Sequence, residues 1–286
     1  MDTLSREAPA KINLTLRVLS LRADGYHEIE SLVAQIDLCD TVTVTPREDR
    51  RLLVDCSDRT IPCDSSNLAL RAAHSLAEAH GVRRGALISL TKRIPSGAGL
   101  GGGSSNAAAT LKLLNAQWRL GLSHPELAEI GAEIGSDVPL FCHGPLCAIR
   151  GRGERVEELR QQLTAWITLI LPTLHCSTPA VYGVWDRLAG PPPRPTLDEL
   201  KAAMTSGTRL MEQTFNDLEP AAFAVEPQLK FLVQRATELA GGPVRMTGSG
   251  STLFRLFDDA DSAHAFAREV DSRLGARSAV AKVCTA

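Results

Sequence analysis

A glycine-rich segment lies between a predicted strand and a predicted helix, in the run PSGAGLGGGSSNAAAT at 95–110. Five of the seven residues from Gly97 to Gly103 are glycine. Glycine permits positive φ angles, so consecutive backbone N–H groups of such a segment can curl around an anion. The N-terminus of the following helix adds about half a positive charge. The segment is therefore predicted to bind phosphate groups, with a flexible surface loop as the alternative.

The segment formally matches GxGxxG, a pattern shared by several nucleotide-binding loops. The dinucleotide-binding form needs an acidic residue about 20 positions later, and none occurs between Leu100 and Pro125. The Walker loop needs Gly-Lys-Ser/Thr, and protein kinases need His-Arg-Asp and Asp-Phe-Gly motifs; both are absent. The remaining interpretation is a triphosphate cradle without a basic side chain, to which Ser104 and Ser105 add hydroxyl donors.

Composition places the chain among globular proteins of one large or two modest domains. It has 286 residues, of which 44% are hydrophobic and 22% charged, and its formal net charge is −2. This charge gives no basic field for nucleic acid or an anionic membrane. The early charges and the lack of about 18 consecutive apolar residues argue against a signal peptide or a membrane span. Seven cysteines without a CxxC pair predict reduced thiols and a cytoplasmic location.

Hydrophobic periodicity predicts a strand-rich first half. Asp24-Gly25 is a typical turn between two strands. A helix is predicted over 67–81, a second after the glycine segment with Ser104 or Ser105 as its N-cap, and a third over 123–137. Strands are predicted over 14–21, 40–46, 51–56 and 86–95, and the run 146–159 is predicted to return to strand and loop.

The second half alternates strands and helices. We predict strands over 165–172 and on both sides of a glycine loop at 244–257, and helices over 197–204, 227–241 and 261–275. A boundary near Gly153 would divide the chain into domains 1–153 and 154–286. The proline-rich run Pro191–Pro195 is predicted to be a surface loop, and the sequence assigns it no role.

Several motifs together resemble the GHMP superfamily of kinases. They are PAKINL, RADGYHEIESL, SSNLALRAA, PSGAGLGGGSS, GSDVPLF, NDLEP and MTGSGST, which cover nearly the whole chain. Within the superfamily, the combination of PAKINL with RADGYH is most similar to the kinases of 4-diphosphocytidyl-2-C-methylerythritol. The resemblance implies an α+β fold with a ribosomal-S5-like N-terminal ATP-binding domain and a ferredoxin-like C-terminal domain. The active site would lie in the cleft between them.

The resemblance also implies a reaction and its small-molecule partners. The γ-phosphoryl group of ATP would move to the tertiary 2-hydroxyl of the cytidine-diphosphate-linked methylerythritol, a step of isoprenoid precursor synthesis. Mg²⁺ is expected because the phosphates need charge neutralisation, with Ser105 as a tentative ligand. No nucleic acid or membrane partner is expected, and monomer and homodimer both stay open. Alternatives are a kinase of mevalonate or homoserine and an inactive nucleotide-binding relative.

Two residues match the catalytic positions of the resembled kinases. Asp137 in GSDVPLF would orient the hydroxyl and accept its proton late in the transfer. Lys11 in PAKINL would keep that carboxylate ionised and offset charge on the transferred oxygens. Asn13 would lie on the same face of a strand as Lys11 and would reach substrate oxygens.

The remaining predicted site residues follow from the same motifs. Tyr26 and His27 would read the cytidine, the alternative being a packed tyrosine and an exposed histidine in a hairpin. Asn67 and Lys92 would contact adenine, or else serve as a helix cap and a solvated strand residue. The predicted phosphate-binding residues are Pro95, Ser96, Gly97, Ala98, Gly99, Leu100, Gly101, Gly102, Gly103, Ser104 and Ser105. Gly248 and Ser249 of the second glycine loop, which could otherwise be a plain hairpin turn, and Thr178 would contact substrate.

Overall fold

The computed structural model describes residues 2–188 and 190–285. Three residues lie outside these ranges. They are Met1 and Ala286, the outer limits of the predicted domains, and Ala189, two positions before the proline-rich run. Two β-sheets with helices packed on them form the described chain. No helix in the two described ranges combines the length and the apolar composition needed to cross a membrane.

The first sheet is built on one strand of 21 residues, β3 (His27–Arg47). The sequence predicted a strand-like run after the Asp24-Gly25 turn and a strand over 40–46, but not one continuous strand, because residues 31–36 are buried on both faces and do not alternate. Antiparallel neighbours of β3 are β1 (Leu4–Asn13), β2 (Thr15–Leu21), β5 (Gly85–Thr91) and β6 (Leu146–Gly151). The strands β4 (Leu52–Cys56) and β7 (Arg155–Glu158) pair with β5 and β6.

Three helices cover this sheet, and local sequence signals explain two of their starts. α1 (Leu68–Ala79) begins at Asn67, whose side chain accepts a hydrogen bond from the Ala69 N–H. α3 (His124–Ile134) begins at a capping box formed by Ser123 and Glu126. Both helices confirm the sequence predictions. Between them, α2 (Gly102–Trp118) packs on β1 and β3 on one side and on α1 on another, and its small side chains Ala107, Ala108 and Ala109 are all buried.

The start of α2 differs from the prediction. Its N-cap is Gly101, in a left-handed conformation with φ of +71°, and not Ser104 or Ser105. The sequence rule favours a serine whose hydroxyl accepts an N–H bond. Here the first turn begins three or four residues earlier, at a glycine without a capping side chain, because glycine adopts the left-handed conformation at low cost. The free amide N–H groups of the first turn stay available.

The elements of the second half are β8 (Trp166–Leu171), α4 (Thr178–Trp185), α5 (Leu197–Ala203), α6 (Gly207–Met211), β9 (Phe215–Asn216), α7 (Glu219–Val225), α8 (Pro227–Ala240), β10 (Arg245–Met246), β11 (Leu253–Phe257), α9 (Ala260–Arg273) and β12 (Arg277–Lys282). The second sheet is antiparallel throughout, in the order β10, β11, β8, β12. α9 packs on β8 and β12, and α8 lies beside α7 and α9. The strand predicted over 165–172, the three predicted helices and the strand–loop–strand unit near the C-terminus are confirmed.

The second half of the chain also contributes to the first sheet. The short strand β9 (Phe215–Asn216) runs parallel to β2, and the Asp217 N–H donates to the Leu16 carbonyl over 2.9 Å. Val283 forms an isolated bridge with Ile36 of β3. The two sheets are therefore tied together at their adjoining edges. A domain boundary near Gly153, where the backbone has a φ of +117°, stays a prediction.

A buried carboxylate fixes the ends of the glycine-rich segment. Asp40 of β3 has no solvent exposure. It accepts hydrogen bonds from the backbone N–H groups of Arg93 (2.7 Å) and Ile94 (2.9 Å), which precede the segment. It also accepts one from Asn106 Nδ2 of α2 at 2.9 Å and forms an ion pair with Lys92. One side chain thus holds both the entry and the exit of the loop.

We predict that Asp40→Asn lowers the free energy of unfolding by about 3–5 kcal/mol, because it leaves the Lys92 ammonium buried without its carboxylate. Urea denaturation followed by circular dichroism measures this loss. Asp49→Asn is the matched control, since Asp49 pairs with Arg47 on the surface and should leave the midpoint unchanged. A loss for Asp40→Asn no larger than that of the control would contradict the assignment.

Candidate active site

Lys11 and Asp137 form an ion pair at the end of β1. Ala10 and Ile12 of this strand point into the core, so alternation places Lys11 and Asn13 on the opposite face. Lys11 Nζ donates to Asn13 Oδ1 over 2.6 Å and lies 3.7 Å from Asp137 Oδ2. Asp137 sits in the turn between α3 and a single 3₁₀ turn (Pro139–Cys142), with 35% of its side chain exposed. A buried ammonium therefore faces a carboxylate that a substrate can reach.

Hydrogen bonds to both halves of the chain hold Asn13 in place. Its side-chain amide donates to Ser31 Oγ of β3 at 2.8 Å, and its backbone N–H donates to Thr247 Oγ1 from the second half at 2.8 Å. Lys11 itself is 6% exposed, which does not agree with a solvated surface lysine. A buried ammonium needs polar partners, and here they are Asn13 and Asp137. The pair is thus fixed before any ligand binds.

The glycine-rich segment passes directly beside Lys11. Gly97, Gly99 and Gly101 have left-handed φ angles of +69°, +76° and +71°. The backbone N–H of Lys11 donates to the carbonyl of Leu100 over 2.9 Å, and Leu100 is buried. A Cβ atom on Gly101 would lie 2.9 Å from Lys11 Cγ, so this position requires glycine. These contacts do not agree with a flexible surface loop.

The segment lines a cavity of about 370 Å³. Asn67 and Lys92 line the same cavity, although both side chains already have partners. Asn67 caps α1 and donates to the Pro62 carbonyl, while the Lys92 ammonium binds Asp40 and Asn106. The segment residues on the cavity wall are Pro95, Ser96, Gly97, Ala98, Gly99, Leu100, Gly101, Gly102, Gly103 and Ser104.

Ser105 is not brought to this cavity. Its hydroxyl is buried, has no hydrogen-bond partner in the described part of the chain, and belongs to a residue lining a separate pocket beside Lys112 and Phe141. Helical rotation explains the difference, because neighbouring residues of a helix face directions about 100° apart. Ser104 is the serine that reaches the cleft.

A second cavity of about 670 Å³ meets the first at the glycine-rich segment. Gly99, Gly101 and Ser104 line both cavities. The Lys11–Asp137 pair lines the second cavity near this junction. The other predicted site residues that line this cavity are Asn13, Tyr26, His27, Thr178, Gly248 and Ser249. The structure therefore brings all the predicted substrate-binding residues together in one cleft.

The far end of the second cavity is aromatic. The His27 ring stacks on Tyr182 of α4 with centroids 4.8 Å apart, and its Nε2 lies 2.6 Å from Asp186 Oδ1. Tyr26 is 52% exposed and lies under the Arg152 guanidinium, 5.2 Å away. His27 is therefore buried and oriented, whereas the hairpin alternative had left it exposed.

Sequence reasoning missed Tyr182, Asp186 and Arg152, which also line this end of the cavity. α4 was not predicted because its eight residues, TPAVYGVW, contain two valines and a glycine. The available signal was Ser177 followed by Thr-Pro, a typical helix start. Burial raises the pKa of Tyr182 to about 12, and the Asp137 carboxylate adds to this effect, so the phenol stays neutral near pH 7.

The second glycine loop closes the cleft from the other half of the chain. A Cβ atom on Gly99 would lie 2.9 Å from the Thr247 carbonyl oxygen, so the two glycine loops are in backbone contact. Thr178 Oγ1 and Ser249 Oγ share a hydrogen bond of 2.7 Å. Both loops therefore define the distance across the cleft, and a side chain between them would widen it.

Family models match both halves of the chain. The model of the GHMP kinases N terminal domain matches residues 67–145, and that of the GHMP kinases C terminal domain matches residues 193–276. The chain is 43% identical to the 4-diphosphocytidyl-2-C-methyl-D-erythritol kinase of Brevibacillus brevis over 263 residues, 91% of this chain and 90% of that protein. It is 40% identical to the kinase of the same name from Bacillus cytotoxicus over 87% of this chain and 86% of that protein.

Solved structures agree with these matches. A crystal structure of 4-(cytidine 5'-diphospho)-2C-methyl-D-erythritol kinase superposes with a TM-score of 0.83 at 35% identity, covering 99% of this chain and 100% of that chain. Homoserine kinase from Cytophaga hutchinsonii, at 18% identity and a TM-score of 0.74 over 100% of this chain and 95% of that chain, shares the fold. The predicted two-domain α+β kinase fold is confirmed. The chain belongs to the 4-diphosphocytidyl-2-C-methyl-D-erythritol kinases, a family of ATP-dependent phosphotransferases within the GHMP kinases.

Proposed function

We propose that this chain transfers the γ-phosphoryl group of ATP to the tertiary 2-hydroxyl of 4-diphosphocytidyl-2-C-methyl-D-erythritol, in the methylerythritol phosphate pathway of isoprenoid precursor synthesis. One observation carries the proposal. The glycine-lined cavity and the cavity that ends at His27 meet beside Lys11 and Asp137. A phosphate donor in the first cavity and a cytidylyl acceptor in the second would bring their reacting atoms to this junction.

Asp137 has the position of the group that orients the acceptor. In the transfer, a new bond forms between the substrate oxygen and the γ-phosphorus, the bond between that phosphorus and the β–γ bridging oxygen breaks, and ADP leaves. An alcohol is too weak an acid to ionise first, so the hydroxyl proton passes late to the Asp137 carboxylate. The carboxylate can accept the proton because 35% of the Asp137 side chain is exposed and the residue lines the second cavity.

Lys11 supplies the positive charge at the junction. Its ammonium lies 3.7 Å from Asp137 Oδ2. As the transferred phosphoryl group develops, the same ammonium offsets charge on its oxygens. Asn13 fixes the ammonium by accepting its hydrogen bond, and this leaves fewer side-chain rotamers to be lost when the substrates bind.

ATP is the donor that the glycine-lined cavity fits. The amide N–H groups of the segment and of the first turn of α2 can bind the phosphates, as at other helix N-termini. We place the adenine at the end of this cavity lined by Asn67 and Lys92. Because the Lys92 ammonium binds Asp40, the methylene groups of Lys92 and the backbone around it would form the contact.

Mg²⁺ is proposed to accompany ATP without a cage built by the protein. The described residues contain no group of three His, Cys, Asp or Glu side chains that could hold a metal ion. Mg²⁺ commonly binds through one or two protein oxygens plus substrate phosphates and waters, so the site fits a phosphate-bound ion. When bound, it neutralises charge on the β- and γ-phosphates. The hydroxyl of Ser104 borders both cavities, whereas the buried hydroxyl of Ser105 does not favour the tentative ligand role predicted for it.

The cytidine base is proposed to lie at the aromatic end of the second cavity. Tyr26 from the hairpin and Tyr182 from α4 line this end with their rings, and so does His27, whose Nε2 is already bound to Asp186. A mevalonate or homoserine substrate has no base to use these rings, so this end of the cavity favours the cytidylyl acceptor over both. The contact between Lys11 and Asp137 also argues against an inactive relative.

An assay coupled to ADP release tests the acceptor. We expect ADP with 4-diphosphocytidyl-2-C-methyl-D-erythritol, ATP and Mg²⁺, and no rate above background with mevalonate or homoserine at equal concentration. Faster turnover of either smaller alcohol would contradict the proposed acceptor. ADP from none of the three would instead favour the inactive relative.

Asp137→Asn should leave the KM for ATP within about twofold and lower kcat by about 10²–10⁴-fold, because the amide cannot accept the proton. Steady-state kinetics with the cytidylyl substrate measure both constants. Asp55→Asn, an exposed aspartate on β4, is the matched control and should retain full activity. A variant at Asp137 that keeps turnover within severalfold of the parent would exclude this residue as the base.

His27→Ala should raise the KM for the cytidylyl substrate by about 10-fold or more and leave the KM for ATP unchanged. The reason is that a stacked base gains about 1–3 kcal/mol, and removing His27 takes away the ring that supports Tyr182. His74→Ala, on an exposed position of α1, serves as the control. An equal rise in both KM values would show that His27 acts on the whole fold and not on the base.

A further inference from the structure

The proline-rich loop at 190–195 is anchored by a buried ion pair. Arg194 Nε donates to Asp217 Oδ1 over 2.9 Å, and the Asp217 side chain has no solvent exposure. The other oxygen, Oδ2, accepts the backbone N–H of Val18 in β2 at 3.1 Å. The Arg194 guanidinium also lies 4.8 Å above the ring of Phe215. The Arg194 guanidinium of this surface loop therefore lies where the two halves of the chain meet.

The backbone of the loop is held as well. Arg17 of β2 donates from Nη2 to the carbonyl of Arg194 at 3.1 Å and to that of Pro195 at 2.8 Å. Its Nη1 also contacts Glu30 of β3 at 3.4 Å. Proline fixes φ, so the three consecutive prolines before Arg194 leave the loop little freedom to change its length.

The same segment begins at the aromatic end of the cleft. Asp186, eight positions before Arg194, follows α4 directly and binds His27 Nε2 at 2.6 Å. Strands β2 and β3 pair so that Arg17 faces Glu30 and Leu21 faces His27. Both ends of the segment 186–195 therefore bind the β2–β3 hairpin, whose tip carries Tyr26 and His27.

α4 is held in place by contacts outside the helix. Val181 is its one buried residue, while Tyr182 is partly exposed towards the cavity. A helix of eight residues gains little stability by itself. The position of Tyr182 and Asp186 therefore depends on the packing of α4 on α7, which begins two residues after Asp217, and on the contacts of Trp185 and Asp186 with His27.

We propose that Arg194 is a positioning residue for nucleobase recognition: its ion pair with Asp217 ties the segment 186–195 to the β2–β3 hairpin and so sets the distance between α4 and His27. The inference rests on the proposed function for the identity of the base. It gives the proline-rich loop a role in acceptor binding, although no atom of Arg194 lines either cavity.

A purely structural role makes a different prediction. Removing one partner of a buried ion pair destabilises a protein, and such a loss lowers the melting temperature without favouring one substrate. A positioning role changes the binding of the cytidylyl substrate while ATP, bound in the other cavity, is unaffected. The ratio of the two KM values therefore separates the two roles.

The experiment compares Arg194→Ala and Arg194→Lys with Arg187→Ala, an exposed arginine of the same segment. For Arg194→Ala we expect the KM for the cytidylyl substrate to rise about 10-fold, because small misplacements of binding groups are costly. The KM for ATP should stay within twofold. Arg194→Lys keeps the charge that faces Asp217 and should recover part of the loss, and Arg187→Ala should match the parent.

A second measurement does not depend on activity. Trp185 lies edge-on to His27 with centroids 5.4 Å apart, so in a background of Trp118→Phe and Trp166→Phe its fluorescence reports the contact between α4 and the hairpin. Arg194→Ala should shift this emission and Arg187→Ala should not. If the parent releases no ADP with the cytidylyl substrate, the proposed function fails, and the emission shift alone decides whether Arg194 positions α4.

Three outcomes would overturn the proposal. One is a parallel rise in both KM values, another is a lower melting temperature with unchanged KM values, and the third is unchanged Trp185 emission in Arg194→Ala. If Arg194→Ala does not fold, the same comparisons apply to Arg194→Lys. That variant would then have to show a selective rise in the cytidylyl KM for the proposal to stand.

Discussion

The buried carboxylate of Asp40 is the constraint on which the conformation of the glycine-rich segment depends. A loop of glycines has the largest conformational freedom of any peptide and would lose its shape unless both ends were fixed. Asp40 binds the backbone before the loop and Asn106 after it, and Lys92 balances its charge. The Lys11 N–H then holds the middle of the loop at Leu100. Flexible residues are thereby given a single conformation.

The Lys11–Asp137 pair is also held by contacts from several elements. Lys11 lies on a strand whose other face enters the core, and Asn13 connects it to Ser31 on one sheet and to Thr247 from the other half. The ammonium and the carboxylate of Asp137 therefore keep their distance through contacts that reach both halves. This explains why the site lies at their junction, since neither half alone supplies all of its anchors.

Much of this fold could be predicted from sequence because its signals are local. The cap of α1 at Asn67 and the capping box of Ser123 and Glu126 at α3 each involve residues no more than three positions apart. The phosphate-binding role of the glycine segment is likewise predicted from its backbone chemistry alone. The start of α2 and the full length of β3 could not be predicted, since a left-handed glycine and a strand buried on both faces leave no periodic pattern.

The candidate site was predicted unevenly for the same reason. Lys11, Asp137 and His27 came from motifs, whereas Tyr182 and Asp186 lie on a short helix with weak propensity. Their role depends on a contact with His27, more than 150 positions away in sequence. No local pattern reports such a contact. Lys92 shows the opposite case, because its motif position was evident but its buried partner Asp40 was not.

The shared wall of the two cavities has a consequence for ligand design. Because Gly99, Gly101 and Ser104 border both cavities, one molecule with a short linker could occupy the two cavities together. Once its first half is bound, the second half would experience an effective concentration in the millimolar range, so two weak fragments would combine into one tight ligand. The shared wall of the cavities thus also makes the protein open to bivalent ligands.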